Sequence, residues 1–138
     1  MSYRNISFSF LFITFFIAGC ATSYHPENRR GYGFSEKQLS EQSYLVSFSG
    51  NSRTSPTDVQ HMLLRRCAEL TIQNGYSYFL ILDKDSDTVT DVTYSEISKV
   101  HDHSESITKF VQIYLAHEND ISPDGRKKAI NAGIFLRR

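Results

Sequence analysis

The sequence predicts an α+β fold: one long amphipathic helix packed on a small, mainly antiparallel sheet of three to four strands, followed by a short C-terminal helix. Apolar residues recur every three or four positions between residues 59 and 70, the spacing of one helix face. Segments on either side of this helix show the alternation or the unbroken apolar run that is typical of strands. Packing the helix on the sheet would bury both apolar faces, so an α+β arrangement is expected.

The first predicted strand covers residues 43–49. Tyr44, Val46 and Phe48 alternate there with residues that are mainly serine. Successive strand side chains point to opposite faces, so this alternation predicts a half-buried strand. Gly50-Asn51-Ser52 then ends it.

The predicted long helix begins after Ser55, whose hydroxyl can cap the first turn. Pro56 suits the first helical position, and the charge of Asp58 suits the positive end of the helix dipole. Asn74-Gly75 is a typical helix end. The apolar stripe between these ends comprises Val59, Met62, Leu63, Cys67 and Leu70.

The chain after the helix predicts two further strands and a weaker third. Residues 76–82 and 107–115 are rich in aromatic and aliphatic side chains, which favours buried strands. Residues 88–97 alternate weakly and suggest an edge strand, whereas residues 98–106 suggest a polar loop. Ser122-Pro123-Asp124 can start a short helix that runs to about Ala132. The helical crossover between the first two strands also allows them to be parallel, so a mixed sheet remains an alternative.

The N-terminus has the pattern of a targeting segment. Residues 6–17 are almost wholly apolar, and this run is too short to span a bilayer, which needs roughly 20 residues. It has the length of a signal-peptide core. The sequence Ile17-Ala18-Gly19-Cys20 that follows resembles the lipobox of bacterial lipoproteins. The resemblance implies a diacylglyceryl group on the Cys20 thiol, cleavage between Gly19 and Cys20, and acylation of the new amine with a fatty acid such as palmitate. The alternative is a plain secretory signal with an incidental cysteine.

A lipid on Cys20 would hold the protein to a membrane. One acyl chain binds only reversibly, but two or three chains on one residue make release negligible. Ala21 and Thr22 follow the cysteine, where an Asp would resemble the inner-membrane retention signal of enterobacterial lipoproteins. We therefore expect a lipid anchor in the outer membrane, with the protein facing the periplasm.

The expected organisation is a signal peptide, a tethered anchor and one domain. The polar stretch after the anchor contains proline and glycine and has no sustained periodicity, which favours a flexible tether. Its aromatic residues, Tyr24, Tyr32 and Phe34, allow two other interpretations: an added strand or cover on the domain, or a contact surface for another envelope protein. The predicted boundaries are 1–19 for the signal peptide, 20–41 for the lipidated cysteine and tether, and 42–138 for the domain.

Four short motifs occur in order along the chain: GYGFSE at 31–36, YLVSFSGN at 44–51, RCAELT at 66–71 and GYSYF at 75–79. Together they resemble a family of short proteobacterial lipoproteins with no assigned activity. The resemblance covers about residues 31–83 and fades beyond residue 90. It implies an envelope lipoprotein and no mechanism. That family is expected to have an alanine-like residue where this chain has Cys67, which favours a packing role for the thiol.

Composition and spacing argue against several classes of function. The formal net charge is zero, and loss of residues 1–19 would remove only Arg4, so there is no basic field for nucleic acid. No cofactor motif is present, and no Gly-x-Ser-x-Gly elbow marks a hydrolase. His101 and His103 would share one face of a strand and could bind a metal ion, but no third ligand is specified.

We therefore expect a non-catalytic accessory or protein-interaction module of the cell envelope. The alternative is a small-ligand or metal-binding envelope protein, and a hydrolase comes third. Arg65 and Arg66 lie at three- and four-residue spacing from Glu69 on the helix, so intrahelical ion pairs are expected. A surface that includes Tyr32, Phe34, Arg65 and Arg66 is the predicted contact site for a partner protein.

Overall fold

The computed structural model describes residues 20–82, 95–101 and 104–138. Within these ranges the fold is α+β, as predicted, with one long helix. Helices and strands are numbered separately along the chain, and a 3₁₀ turn at Glu118–Asp120 follows the fifth strand. The elements are β1 (Gly33–Gln38), β2 (Ser43–Gly50), α1 (Pro56–Gln73), β3 (Tyr78–Leu82), β4 (Ser95–His101), β5 (Ser104–Ala116), α2 (Pro123–Arg126), β6 (Ile130–Asn131) and α3 (Ala132–Leu136).

The described strands form one antiparallel sheet in the order β1-β2-β5-β3-β6. The long strand β5 lies at its centre and pairs with β2 along one edge. Along its other edge, β4 pairs with residues 104–110 and β3 with residues 112–116. Strands β2 and β3 are parallel to each other, but β5 separates them, so every described pairing is antiparallel. The expected count of three to four strands was too low, because β1 and the short β6 extend the sheet at its two ends.

The long helix α1 begins and ends where the capping residues predict. The backbone N–H of Asp58 donates to Ser55 Oγ over 3.1 Å, and Pro56 occupies the first turn. At the other end Gly75 has φ +81°, a left-handed conformation that glycine adopts without a Cβ clash. The predicted stripe faces the sheet, and its buried members are Val59, Leu63, Cys67 and Leu70, joined by Ala68 and Thr71.

The main core lies between α1 and one face of the sheet. The alternation in β2 predicts its buried side correctly, since Tyr44, Val46 and Phe48 are all buried there. Strands β3 and β5 add a further set of buried apolar residues, which comprises Phe79, Ile81, Val111, Ile113 and Leu115. On the opposite face, Leu80, Ala116 and Ile121 form a smaller cluster.

Three sequence predictions differ from the structure. Residues 98–101 and 104–106 are not a loop, because they belong to β4 and β5, which pair up to His101 and Ser104. Residues 88–94 and 102–103 lie outside the described residues. The prediction of a single C-terminal helix is wrong, because β6 separates two short helices and Gly133 lies inside α3. The tether is also wrong in its second half, because residues 33–38 form β1 and pair with β2. The sequence did not predict β1 because few of its residues are apolar. It is an edge strand, and its residues are mostly half-buried or exposed.

Candidate functional site at the N-terminal segment

The N-terminal segment is fastened to the domain almost from the predicted lipidation site. The backbone N–H of Thr22 donates to Thr54 Oγ1 over 2.9 Å, and the backbone N–H of Asn51 donates to Thr22 Oγ1 over 2.9 Å. Thr22 is only 6% exposed. Asn51 Nδ2 also donates to the Cys20 carbonyl over 3.1 Å. Only Ala21 separates the exposed Cys20 from Thr22, the first buried residue in the part of the chain that the structure describes.

The turn between β2 and α1 is built to receive this segment. Asn51 Oδ1 accepts hydrogen bonds from the backbone N–H of Arg53 (3.1 Å) and from Thr54 Oγ1 (3.0 Å), which fixes the turn. Gly50 is required next to it: a Cβ there would lie 2.7 Å from Thr54 Cβ and 2.8 Å from Val59 Cγ2. Sequence reasoning treated residues 50–52 only as a strand end, because their partners lie about thirty positions upstream.

The segment then crosses the edge of the sheet beside β1. Phe34 donates its backbone N–H to the His25 carbonyl (2.9 Å) and accepts from the Glu27 backbone N–H (2.8 Å). These two bonds form a short parallel bridge. The Tyr24 ring lies 4.9 Å from the Phe34 ring and 6.5 Å, stacked, from the Phe48 ring, measured between centroids. Of the interpretations left open for these aromatic residues, an added strand and cover is the one observed.

A cluster of ionic groups holds this segment and β1 against α1. Arg66 makes a two-point contact with Glu36 of β1, at 2.7 Å and 3.1 Å. Glu69 accepts from Arg65 Nε (3.0 Å), from Arg66 Nη1 (3.4 Å) and from the Tyr24 hydroxyl. The expected intrahelical pairs are therefore confirmed. We call Tyr24, Glu36, Arg65, Arg66 and Glu69 the arginine–glutamate cluster.

The two arginines also cover aromatic rings. The Arg65 guanidinium carbon lies 4.3 Å from the Tyr24 ring centroid, and that of Arg66 lies 4.5 Å from the Phe34 centroid. Both distances are within cation–π range. The side chain of Arg66 is only 12% exposed, whereas that of Arg65 is 50% exposed. Arg66 is therefore a structural residue, and Arg65 keeps one side open to solvent.

The cluster shifts the ionisation of its acidic members in opposite directions. Burial alone would raise the pKa of Glu69, but the hydrogen bonds from Tyr24, Arg65 and Arg66 outweigh it and hold the pKa below its usual value. Burial raises the pKa of Tyr24, and its hydrogen bond to Glu69 raises it further. Tyr24 is thus a neutral donor and Glu69 a charged acceptor at neutral pH.

The shift at Glu69 predicts acid sensitivity. Because its pKa is lower in the folded protein than in the unfolded chain, the stability that it contributes is fully present above the unfolded value, near 4.3, and is lost as pH falls through the lower folded value. Urea unfolding from pH 7 to pH 3 should lose less stability for Glu69→Gln than for the wild type. Equal losses for both proteins would contradict this assignment.

The predicted contact residues therefore have unequal roles. Phe34, Arg65 and Arg66 are brought together around Tyr24, and Phe34 packs against the main core. Tyr32 is half-buried. Sequence reasoning missed Glu36 as a member of the site, since nothing local to β1 indicates a partner thirty residues away on α1.

The predicted metal ligands lie at the edge of the described residues. His101 is the last residue of β4 and pairs through its backbone with Ser104. His103 lies outside the described residues, so their joint geometry stays a prediction. Within the part of the chain that the structure describes, no three histidine, cysteine or carboxylate side chains are placed to hold a metal ion.

Cys67 is fully buried in α1, as its place in the apolar stripe predicts. Burial raises the pKa of its thiol, which disfavours the reactive thiolate. In a Cys20→Ala protein, a thiol reagent should therefore label nothing under native conditions and one cysteine per chain in urea. Labelling of the native variant at the rate of a free thiol would contradict the burial.

A second surface feature lies on α3. Ile134 is 51% exposed and Leu136 is 41% exposed. Beside them is an open cleft of about 170 Å³ lined by Ile130, Asn131, Ile134, Phe135 and Arg138. This volume is below the 300 Å³ or so that small-molecule sites usually have, so the cleft does not suggest a ligand site.

Comparison with known proteins adds no information on function to that from the structure. Among the described residues, no helix combines the length and apolar character needed to cross a bilayer. The chain matches no protein-family model, no curated protein and no solved structure.

Proposed function

We propose that this protein is a lipoprotein of the cell envelope, anchored through lipid on Cys20 and acting as a non-catalytic accessory or interaction module. The proposal places it at the outer membrane, facing the periplasm. It also places the chain in the family of short proteobacterial lipoproteins that its four motifs resemble. Function would then consist of holding a folded surface at a defined place on the membrane.

The observation that supports the proposal best is the placement of Cys20. The residue is exposed, so lipid on its sulfur would meet no steric obstacle from the domain. It follows directly on the apolar run and the two small residues expected of a lipoprotein signal. Two residues later Thr22 is buried and hydrogen-bonded to the domain, so little free chain separates the predicted anchor from the domain.

The test is intact mass and membrane fractionation of the wild type beside Cys20→Ala. We expect the wild type to begin at Cys20, to have the added mass of a diacylglyceryl group and a fatty acyl chain, and to follow the outer membrane. The variant should stay unlipidated and leave the membrane fraction. A soluble, unacylated wild type would overturn the proposal.

The contact surface is proposed around Arg65 rather than Arg66. Arg65 is half exposed at the edge of the arginine–glutamate cluster, with Tyr32 as a second candidate. Crosslinking in intact membranes should lose a specific partner when Arg65 is replaced by Glu. Lys37→Glu is the matched control, because Lys37 is an exposed cation on β1 outside the cluster. A partner retained in both variants would remove Arg65 from the contact surface.

A further inference from the structure

We propose that the domain does not swing on a tether but is seated on the bilayer in one orientation, with the β2–α1 turn (residues 51–55) against the phospholipid headgroups. This inference rests on the proposed lipid anchor at Cys20. It adds an interaction surface and names its partner as the headgroup layer of the membrane that holds the anchor.

The fixed contacts begin at the anchor itself. The Cys20 carbonyl accepts from Asn51 Nδ2, and both the N–H and the hydroxyl of Thr22 are bonded to the β2–α1 turn. Thr22 and Thr54 are 6% and 3% exposed, so the bond between them is shielded from water. The Asn51–Thr22 bond is partly buried, and the Asn51–Cys20 bond is exposed. A flexible tether would leave such groups solvated.

The chain between Cys20 and Thr22 is too short to hold the β2–α1 turn away from the membrane. One residue spans at most about 3.6 Å, so the Cα atoms of Cys20 and Thr22 lie within about 7 Å of each other. A lipid on the Cys20 sulfur therefore brings the turn to the height of the headgroups. The tether predicted for residues 20–41 does not supply free length here, because Thr22 is already hydrogen-bonded to the turn.

The sheet gives this surface a definite direction. Gly50, next to the turn, pairs with Ile107, and β5 continues three residues beyond it at the same end of the sheet. The opposite end is the β1–β2 turn at residues 39–42, which lies seven or more residues away along β2. At about 3.3 Å per residue this separation is about 23 Å.

The turn also has the chemistry of a headgroup contact. Ser52 and Arg53 are both exposed. Within the described residues, no carboxylate pairs with the Arg53 guanidinium. Arginine binds phosphate through planar, two-point hydrogen bonds, which suits the phosphodiester of a phospholipid. A hydroxyl and an unpaired cation can face headgroups without burying apolar surface.

The experiment places one label at each end of the sheet. Ser52→Cys and Ser40→Cys are matched, since each replaces one exposed serine in a turn. Cys67 is fully buried and Cys20 is blocked by lipid, so each variant offers one accessible thiol. The lipidated full-length proteins are labelled with a fluorophore and reconstituted in phosphatidylcholine–phosphatidylglycerol vesicles that contain a headgroup-nitroxide lipid.

We expect strong quenching at position 52 and none above background at position 40. Equal quenching at the two positions, in protein that floats with the vesicles, would overturn the fixed orientation while leaving the anchor intact. Protein that lacks the acyl mass and does not float would overturn the anchor, and the orientation with it. Intact mass and flotation therefore separate the two failures.

A second pair of variants tests the fastening directly. Thr54→Val removes the hydroxyl that accepts from Thr22, whereas Thr54→Ser keeps it. When combined with Ser52→Cys and, separately, with Ser40→Cys, Thr54→Val should lose most of the quenching difference between positions 52 and 40, and Thr54→Ser should keep it. The native protection of Cys67 from thiol reagents reports that each variant is folded. Full quenching contrast in a folded Thr54→Val protein would contradict the proposed role of these hydrogen bonds.

Discussion

Replacing Gly33 with alanine is expected to lower the free energy of unfolding by about 2–4 kcal/mol and to release the N-terminal segment from β1. Gly33 has φ +113°, a conformation that residues with a Cβ rarely adopt. A Cβ there would lie 2.5 Å from the His25 carbonyl oxygen and 2.7 Å from that of Pro26. Both contacts are with backbone, so either β1 or the N-terminal segment must move.

The control for this substitution is Gly75→Ala. Gly75 has φ +81°, but no atom lies within 4 Å of an added Cβ. Its cost should be only the left-handed strain, about 1–2 kcal/mol. Urea unfolding gives the two stabilities, and limited trypsin cleavage at Arg29 and Arg30 reports release of the segment. Equal loss at the two positions, or an unchanged cleavage rate for Gly33→Ala, would contradict the packing of the segment against β1.

Replacing Arg66 with alanine is expected to destabilise the protein by about 2 kcal/mol, because charge-assisted hydrogen bonds are lost, Glu36 loses its ion-pair partner and Glu69 loses one of its three donors. Arg66 joins Glu36 of β1 to α1 and shares Glu69, and its side chain is 12% exposed. It also covers the Phe34 ring. The substitution removes the Arg66–Glu36 ion pair, which is the only ion pair between β1 and α1 within the described residues, and the contact with the Phe34 ring.

The neighbouring Arg65 supplies the matched control. Its side chain is 50% exposed, its ion pair with Glu69 spans one helical turn, and it covers the Tyr24 ring, so Arg65→Ala should cost at most about 1 kcal/mol. A double-mutant cycle of Arg66→Ala with Glu36→Gln should give a coupling free energy well above that of Arg65→Ala with Glu69→Gln. Equal couplings would show that burial does not distinguish the two arginines.

Local signals in the sequence determined much of the fold. The ends of α1 could be predicted without knowing what the helix packs against. The cap at Ser55, the apolar stripe and the glycine at position 75 all depend on residues that are close together in the chain. The alternation in β2 likewise identified its buried face, because strand geometry alone sets which side chains share a side. The burial of Cys67 followed from the same helical spacing.

Other features depended on contacts between distant parts of the chain. Strand β1 is mostly polar, and it exists because it pairs with β2 and because Glu36 meets Arg66 thirty residues later. The hydrogen bonds of Thr22 to the β2–α1 turn have no local signature either. The extent of β4 and β5 was missed because the polar residues at the end of β4 and the start of β5 have the composition of a loop, and only their pairing shows that they are strands.

The sequence by itself thus determined the class of fold and the helix with its buried face, because short-range periodicity and capping decide both. The lipid anchor at Cys20 stays a prediction. Only the tertiary structure decided that the segment after Cys20 is part of the domain, that Arg66 is a structural residue and that Arg65 is the exposed one. The reason is physical: a polar segment with glycines can be solvated or paired, and the choice depends on partners that folding alone brings within hydrogen-bond distance.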